Sequence, residues 1–123
     1  LVISHMNERV VLLRNAPHGG QVPGHHWLGI DLFGKNHRDT AGAKVVVEVG
    51  ARRLTRFAKG GSSYLSSSDR RLLFGLAAAD HVDKVTVFWP WDAEQHWDEL
   101  AIDRYWQLVE GEAEARTPHA QNR

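Results

Sequence analysis

The side chains best suited to bind a ligand are aromatic and acidic residues in the last third of the chain. Trp91 and Trp97 have Asp92, Glu94 and Asp98 close by in the sequence. A flat indole ring can cover the C–H face of a sugar, and carboxylates can accept hydrogen bonds from its hydroxyl groups. The group therefore predicts a carbohydrate-binding surface. The same rings, if exposed, could instead form a contact patch for another domain, and burial in the core is the commoner position of a tryptophan.

Metal binding is poorly supported by the spacing of the histidines. The chain has eight of them, but His25 and His26 are adjacent, and adjacent residues of a strand point to opposite faces. The sequence contains no His-x-His, no His-Glu-x-x-His and no calcium-loop motif. We therefore predict no metal site and no cofactor.

Nucleophilic catalysis is also poorly supported. Five serines lie between positions 62 and 68 and, with His37 and Asp39, supply the residue types of a hydrolytic triad. They lack the Gly-x-Ser-x-Gly elbow that exposes a nucleophile, and serines at strand ends usually bind turn backbone. The chain has no cysteine. We predict that the protein is not an enzyme and assign no catalytic residue.

The charges are balanced overall but divided along the chain. The net charge is zero, which argues against nucleic acid as a partner. Residues 35–71 contain nine Lys or Arg and three Asp or Glu, whereas residues 80–114 contain two and ten. We favour pairing of the two stretches across a sheet, which would cancel most of the charge. The alternative is a basic face and an acidic face that dock different partners.

Arg38 and Asp39 lie in a polar loop just before Gly42. Loops on a rigid scaffold often contact ligands. A structural ion pair that fixes the entry to the loop, with Gly42 supplying an unusual backbone angle, is the interpretation we favour.

Short apolar segments separated by turn residues predict a β-structure. No segment keeps a helical period, and no apolar run is long enough to cross a membrane. We predict one all-β domain, either a single antiparallel β-sandwich or a partly open barrel of about seven short strands. Trp27–Phe33 should be a central strand, and Trp89 should face the core. The apolar segments from which these strands would come are residues 10–13, 27–33, 43–49, 52–59, 64–65, 72–76, 84–89, 94–100 and 105–110.

Several motifs follow one another in order between His26 and Gly111. They are His26-Trp27-Leu28-Gly29-Ile30, Asn36-His37-Arg38-Asp39, Gly42-Ala43, Gly60-Gly61-Ser62-Ser63-Tyr64-Leu65-Ser66, Leu73-Phe74-Gly75-Leu76, Val82-Asp83-Lys84-Val85-Thr86-Val87 and Trp89-Pro90. In this order they resemble the ASPIC/UnbV domain. Val11-Leu12-Leu13-Arg14-Asn15 is similar to the end of an FG-GAP or VCBS propeller repeat, which usually precedes that domain.

The resemblance implies a module of a larger secreted, periplasmic or cell-surface protein. It implies a non-catalytic interaction or adhesion role, in which the domain packs on or extends the preceding propeller domain. Two alternatives remain: a carbohydrate-binding module, and an accessory domain of a biosynthetic protein of the enediyne type. For the first role, the residues predicted to dock on acidic calcium loops of the propeller are Arg38, Arg52, Arg53, Arg56 and Lys59.

The sequence also suggests where the domain begins and ends. Residues 1–6 look like an expression-vector remnant, because Ser4-His5-Met6 is typical of one. The domain is predicted over residues 7–111. Residues 112–123 are small and charged, and we predict a disordered tail there.

Overall fold

The computed structural model describes residues 2–4, 7–14, 24–61, 64–65 and 67–118. A 3-10 turn at Lys35–His37 is the helical segment of this described part, which has no helix long and apolar enough to span a membrane. The strands are β1 (Val2–Ile3), β2 (Val11–Leu12), β3 (His26–Phe33), β4 (Lys44–Val49), β5 (Arg52–Phe57), β6 (Leu72–Ala77), β7 (Lys84–Phe88), β8 (Glu94–Asp98) and β9 (Arg104–Val109).

Two sheets form the body of the molecule. One has the order β5-β4-β7-β8 and the other β6-β3-β9, while β1 and β2 form a separate pair. The predicted all-β sandwich is confirmed, and none of the sheets closes into a barrel. Strand β3 is central in its sheet, as predicted. One pair departs from the antiparallel pattern, because β3 runs parallel to β9. A parallel pair requires a long return of the chain, and here the remaining strands of the sandwich supply it.

The valine-rich strand β4 lies at the centre of the four-stranded sheet and supplies much of the core. Val45 and Val47 are fully buried, and Val49 is nearly so, which matches the predicted alternation. The hairpin from β4 to β5 turns at Gly50 with a φ of 54°, a left-handed conformation that glycine adopts at little cost. In register with Val47 and Val45, Val85 and Val87 of β7 continue the same buried face.

The three-stranded sheet covers this face with larger side chains. Leu28 and Phe74 are register partners on β3 and β6, and both are buried. Ile30 of β3 and Leu108 of β9 complete the layer with no exposed surface. Each fully buried side chain of this kind contributes about 1.5–3 kcal/mol relative to exposure, so the interface between the sheets is the main source of stability.

The outer face of the three-stranded sheet is shaped by an aromatic ring lying over a glycine. Gly29 is the register partner of Tyr105 on β9, and a Cβ atom added to Gly29 would lie 2.1 Å from Cδ1 of Tyr105. The Tyr105 ring also meets Trp27 edge-on, with ring centroids 5.0 Å apart. Gly29 is therefore needed for the approach of this ring.

Three segments differ from expectation. Tyr64 and Leu65, predicted as a short strand, form an exposed turn in which Leu65 has a φ of 49°. Beyond the predicted boundary at Gly111, Arg116 pairs with Gln107, and residues 119–123 lie outside the described residues. Within residues 1–6, the segment that resembles a vector remnant, Val2–Ile3 pairs with β2. Backbone pairing at these sites depends on neighbours distant in sequence, which local composition does not reveal.

Candidate functional site

An open cleft of about 1150 Å³ lies where β3 and β9 end. It is lined by residues 31–40 and 109–112, together with Arg70, Gln107 and Arg116. We call it the loop cleft, because the polar connection after β3 forms much of its wall. It contains the Asn36-His37-Arg38-Asp39 motif.

The loop reverses direction through an unusual backbone turn. Asn36 and His37 have φ values of 56° and 60°, in the left-handed region where asparagine and histidine are enriched among non-glycine residues. The backbone N–H of Arg38 donates a hydrogen bond to the carbonyl oxygen of Lys35 at 3.3 Å. This turn places two exposed cations, Lys35 and Arg38, on the same short segment of the cleft wall.

Arg38 rests on a stack of two tryptophans that begins in the core. Trp89 is 3% exposed, and its Nε1 donates to Oε1 of Gln95 at 3.1 Å. The Trp91 ring is nearly parallel to that of Trp89, with centroids 6.5 Å apart. The Arg38 guanidinium carbon lies 5.1 Å from the Trp91 ring centroid, within the range of a cation–π contact. The arginine is thus held on a ring that is itself supported by the core.

A carboxylate fixes the second tryptophan to the loop. Trp91 Nε1 donates to Oε1 of Glu110 at 2.5 Å, and the Lys35 backbone N–H donates to Oε2 at 2.8 Å. Desolvation raises the pKa of Glu110, but these two hydrogen bonds and the positive charges of Arg38 and Lys35 outweigh it and lower the pKa. Glu110 therefore stays ionised and links the start of the loop to Trp91.

Asp39 closes the other side of the loop. It accepts a hydrogen bond from the Ala41 backbone N–H at 3.0 Å and forms a short contact with Nη2 of Arg70. The Ala41 hydrogen bond, and then that of Arg70, lower the pKa of Asp39. Asp39 does form an ion pair in this loop, but its partner is Arg70 and not its sequence neighbour Arg38.

The family model described as ASPIC and UnbV matches residues 33–115. The chain belongs to the ASPIC/UnbV family. The match contains most of the residues that line the loop cleft, as well as Trp91 and every strand of the two sheets except β3, of which it includes only Phe33. It makes the chain an accessory module of the kind associated with propeller proteins. No curated protein matches the sequence.

The residues predicted to dock the ASPIC/UnbV domain on a partner do not form one surface. Arg52 donates to the Leu76 carbonyl at 2.8 Å, and Arg53 pairs with Glu48 at 3.0 Å on the outer face of the four-stranded sheet. The others lie elsewhere: Arg56 packs 5.9 Å from the ring centroid of Phe74, Lys59 lines a smaller groove of about 450 Å³, and Arg38 lines the loop cleft.

The predicted sugar-binding residues are also separated. Trp97 is only 5% exposed and is the register partner of Val85, so its ring faces the core and is closed to a ligand. Glu94 and Asp98 are exposed on the opposite face of β8, since strand alternation places them opposite Trp97. Asp92 lies in an exposed turn with a φ of 62°, and Trp91 is half-buried beside the loop cleft. The structure does not bring these five residues together.

The three carboxylates of the basic stretch are neutralised inside that stretch. Besides Glu48–Arg53 and Asp39–Arg70, Asp69 forms a bidentate pair with Arg71, whose Nε donates to Oδ1 at 3.0 Å and whose Nη2 donates to Oδ2 at 2.5 Å. The pairing across the two stretches that we favoured therefore does not involve these groups. Within the described residues, six cations of the stretch make no ion pair. Four of these six line the loop cleft or the smaller groove, namely Lys35, Arg38, Arg56 and Lys59.

The remaining candidates for chemistry are also in pairs. His26 Nδ1 lies 2.7 Å from Oδ2 of Asp103, and His81 Nδ1 lies 2.7 Å from Oδ1 of Asp80. No group of three His, Asp or Glu side chains in the described ranges is placed to hold a metal ion. Asp39, a member of the possible triad, bonds Arg70, while Ser62, Ser63 and Ser66 lie outside the described residues.

Sequence reasoning missed Glu110, Lys35 and Arg70 as parts of the loop cleft. Glu110 follows β9, and Lys35 follows β3. Because β3 and β9 are parallel neighbours, their ends meet, and a polar residue just after each strand is a useful signal once the pairing is known. The pairing itself could not be read from the sequence.

Proposed function

We propose that this ASPIC/UnbV domain is a non-catalytic interaction module that packs on the propeller domain of its parent chain. The basic rim, which we define as Lys35, Arg38, Arg56 and Lys59, would face acidic loops of the propeller. The observation that carries the proposal is the absence of an ion pair at these four cations in the part of the chain that the structure describes, although every carboxylate of the same stretch has one.

The two halves of the basic rim lie beside connected surfaces. Lys35 and Arg38 line the loop cleft, while Arg56 and Lys59 line the smaller groove. Arg70 lines both, so one partner surface can reach all four cations. Unpaired positive groups attract an acidic partner and accelerate its association, and they do so less at high salt.

The cellular location of the parent protein is part of the same proposal. Following the family resemblance, we propose that it is secreted, periplasmic or displayed at the cell surface. A carbohydrate-binding role has less support, because the burial of Trp97 removes one of its two aromatic platforms.

The test is calorimetric titration of the parent's propeller domain with this chain. Reversing two charges of the basic rim, Arg56→Glu with Lys59→Glu, is expected to weaken binding about tenfold or more, which is about 1.4 kcal/mol. Arg53→Glu is the matched control, because Arg53 lies on the same strand but on the outer face of the sheet, paired with Glu48. Unchanged affinity in the double variant, or an equal loss in the control, would contradict the proposal.

A further inference from the structure

We propose that the loop cleft binds a carboxylate of an acidic peptide segment. Arg38 and Lys35 would bind this carboxylate from the side of the cleft next to Trp91. The inference rests on the proposed function, because it names the chemistry that the propeller would present to this part of the basic rim. It assigns to Arg38 a binding role that goes beyond general charge attraction.

The first step concerns the geometry of Arg38. Its guanidinium carbon lies 5.1 Å from the centroid of the Trp91 ring. A guanidinium is planar, and all five of its N–H donors lie in that plane. When the flat face of the guanidinium lies against the Trp91 ring, the N–H groups at the edge of the guanidinium stay free for hydrogen bonds. Two parallel N–H groups on that edge match the two oxygens of a carboxylate.

The second step concerns the rigidity of the platform. Trp91 is held from one side by the buried Trp89 ring and at its Nε1 by Glu110. Glu110 in turn accepts the Lys35 backbone N–H, so ring, carboxylate and loop hold one another. A side chain fixed before binding loses less conformational entropy when the ligand arrives.

The third step concerns the carboxylates that already surround Arg38. Asp39 is taken by Arg70 and the Ala41 N–H, and Glu112 is paired with Arg116 at 2.6 Å. Both oxygens of Glu110 accept other donors. These internal acids position the walls of the cleft, and none of them forms an ion pair with Arg38 within the described chain.

The fourth step concerns the second cation. The Lys35 side chain is exposed, and its backbone carbonyl accepts the Arg38 N–H, so both positive groups belong to one turn. An arginine supplies a directional pair of donors, and a lysine adds a point charge that tolerates different positions of the ligand. This combination suits an aspartate or glutamate on a peptide loop.

The experiment is an NMR-monitored titration of the ¹⁵N-labelled chain at constant ionic strength. The probe is an acetylated, amidated peptide that alternates glycine and aspartate, and the comparison peptide carries asparagine in place of each aspartate. We expect the aspartate peptide to shift the indole N–H resonance of Trp91 and the Nε–H resonance of Arg38 in a saturable way. The resonances are assigned with Trp91→Phe and Arg38→Lys.

The variants separate charge from geometry. Arg38→Ala is expected to weaken peptide binding about tenfold or more, and Arg38→Lys should also lose most of the affinity because it keeps the charge but not the planar donors. Arg53→Ala, on the outer face, should bind as the unmodified chain does. Equal shifts with the asparagine peptide or with sodium sulfate, or full affinity in Arg38→Ala, would overturn the inference.

The two proposals fail in different ways. If the aspartate peptide binds through Arg38 but the propeller domain does not bind the chain, the proposed function is wrong while the carboxylate site stands. If the propeller docks equally well on the Arg38→Ala variant and the peptide gives no shift, the docking proposal stands on Arg56 and Lys59 alone and the carboxylate site is wrong.

Discussion

Trp91 lies in the turn before β8 and Trp97 lies within β8, and the two rings have opposite environments. Trp91 is half-buried beside the loop cleft, where its ring contacts Arg38. Trp97 is 5% exposed and belongs to the hydrophobic core. A partly exposed ring can hold a side chain that takes part in recognition, whereas a ring enclosed by the two sheets can only stabilise the fold.

We therefore expect Trp97→Ala to lower the free energy of unfolding by about 3–5 kcal/mol, because it leaves a large cavity between the sheets. Urea denaturation followed by circular dichroism measures the change. Trp91→Ala is the control and should cost clearly less, since part of that ring is already exposed. A Trp97→Ala variant with the stability of the unmodified protein would show that the core does not depend on this ring.

At the scale of elements, the parallel pairing of β3 with β9 places Tyr105 directly beside Gly29. Tyr105 covers Gly29, and the missing Cβ at this position makes room for the ring. On the neighbouring strand β6, Gly75 has no atom within 4 Å of an added Cβ. Gly29 is therefore needed to make room for a ring, whereas Gly75 has open space beside it, although both lie in strands of the same sheet.

We expect Gly29→Ala to destabilise the protein by about 1–3 kcal/mol, as overpacking does elsewhere. Gly75→Ala is the matched control and should be neutral or stabilising by up to about 1 kcal/mol, because alanine restricts the unfolded chain. The midpoint of urea unfolding compares the two. If both variants unfold at the same midpoint, Tyr105 is not held over Gly29.

The connection between β6 and β7 contains an exposed histidine, His81, that lies beside the carboxylates of Asp80 and Asp83. The hydrogen bond and then the charge of Asp80, followed by the charge of Asp83, raise the pKa of His81 above its ordinary value of 6.5. A raised histidine pKa favours the folded state when the ring is protonated. This contribution is fully present below pH 6.5 and is lost as the pH rises through the folded pKa.

We therefore expect a small loss of stability that depends on this histidine as the pH rises from 6.5 through the pKa of the ring in the folded state. Urea unfolding across that range, and an NMR titration of the His81 ring, measure it. Asp80→Asn should return the ring pKa toward its ordinary value and flatten the pH dependence. A ring that titrates at its ordinary value in the unmodified chain would contradict the expectation.

Strand positions were largely predictable, and the pairing of strands was not. The alternation of Val45, Val47 and Val49, and the inward position of Trp89, follow from a two-residue period of apolar residues that is visible in the sequence. Trp97 differs from the predicted sugar-binding position because its polar sequence neighbours, His96 and Asp98, lie on the opposite face of the strand.

The loop cleft could be recognised only in part. Arg38, Asp39 and Trp91 were singled out from their residue types, but their partners Arg70 and Glu110 are 31 and 19 residues away from Asp39 and Trp91. Such contacts depend on which strands meet at one end of the sandwich. A single sequence gives no direct information on that choice.

For the molecule as a whole, the two ends of the sandwich carry different groups. One end has the loop cleft, the smaller groove and the basic rim. The other has a groove lined by Asp80, His81, Asp83 and Glu99. Although the net charge of the chain is zero, one end carries the cations of the basic rim and the other end carries carboxylates. A partner with acidic loops is expected at the first end.

The most direct test of the proposed docking is hydrogen–deuterium exchange on this domain alone and joined to its propeller in the parent chain. The account predicts slower exchange in the joined form at the backbone of residues 35–40 and 56–61, beside the basic rim, with unchanged exchange in β8 on the far side of the four-stranded sheet. Identical exchange at the basic rim in both forms, or protection confined to β8, would contradict it.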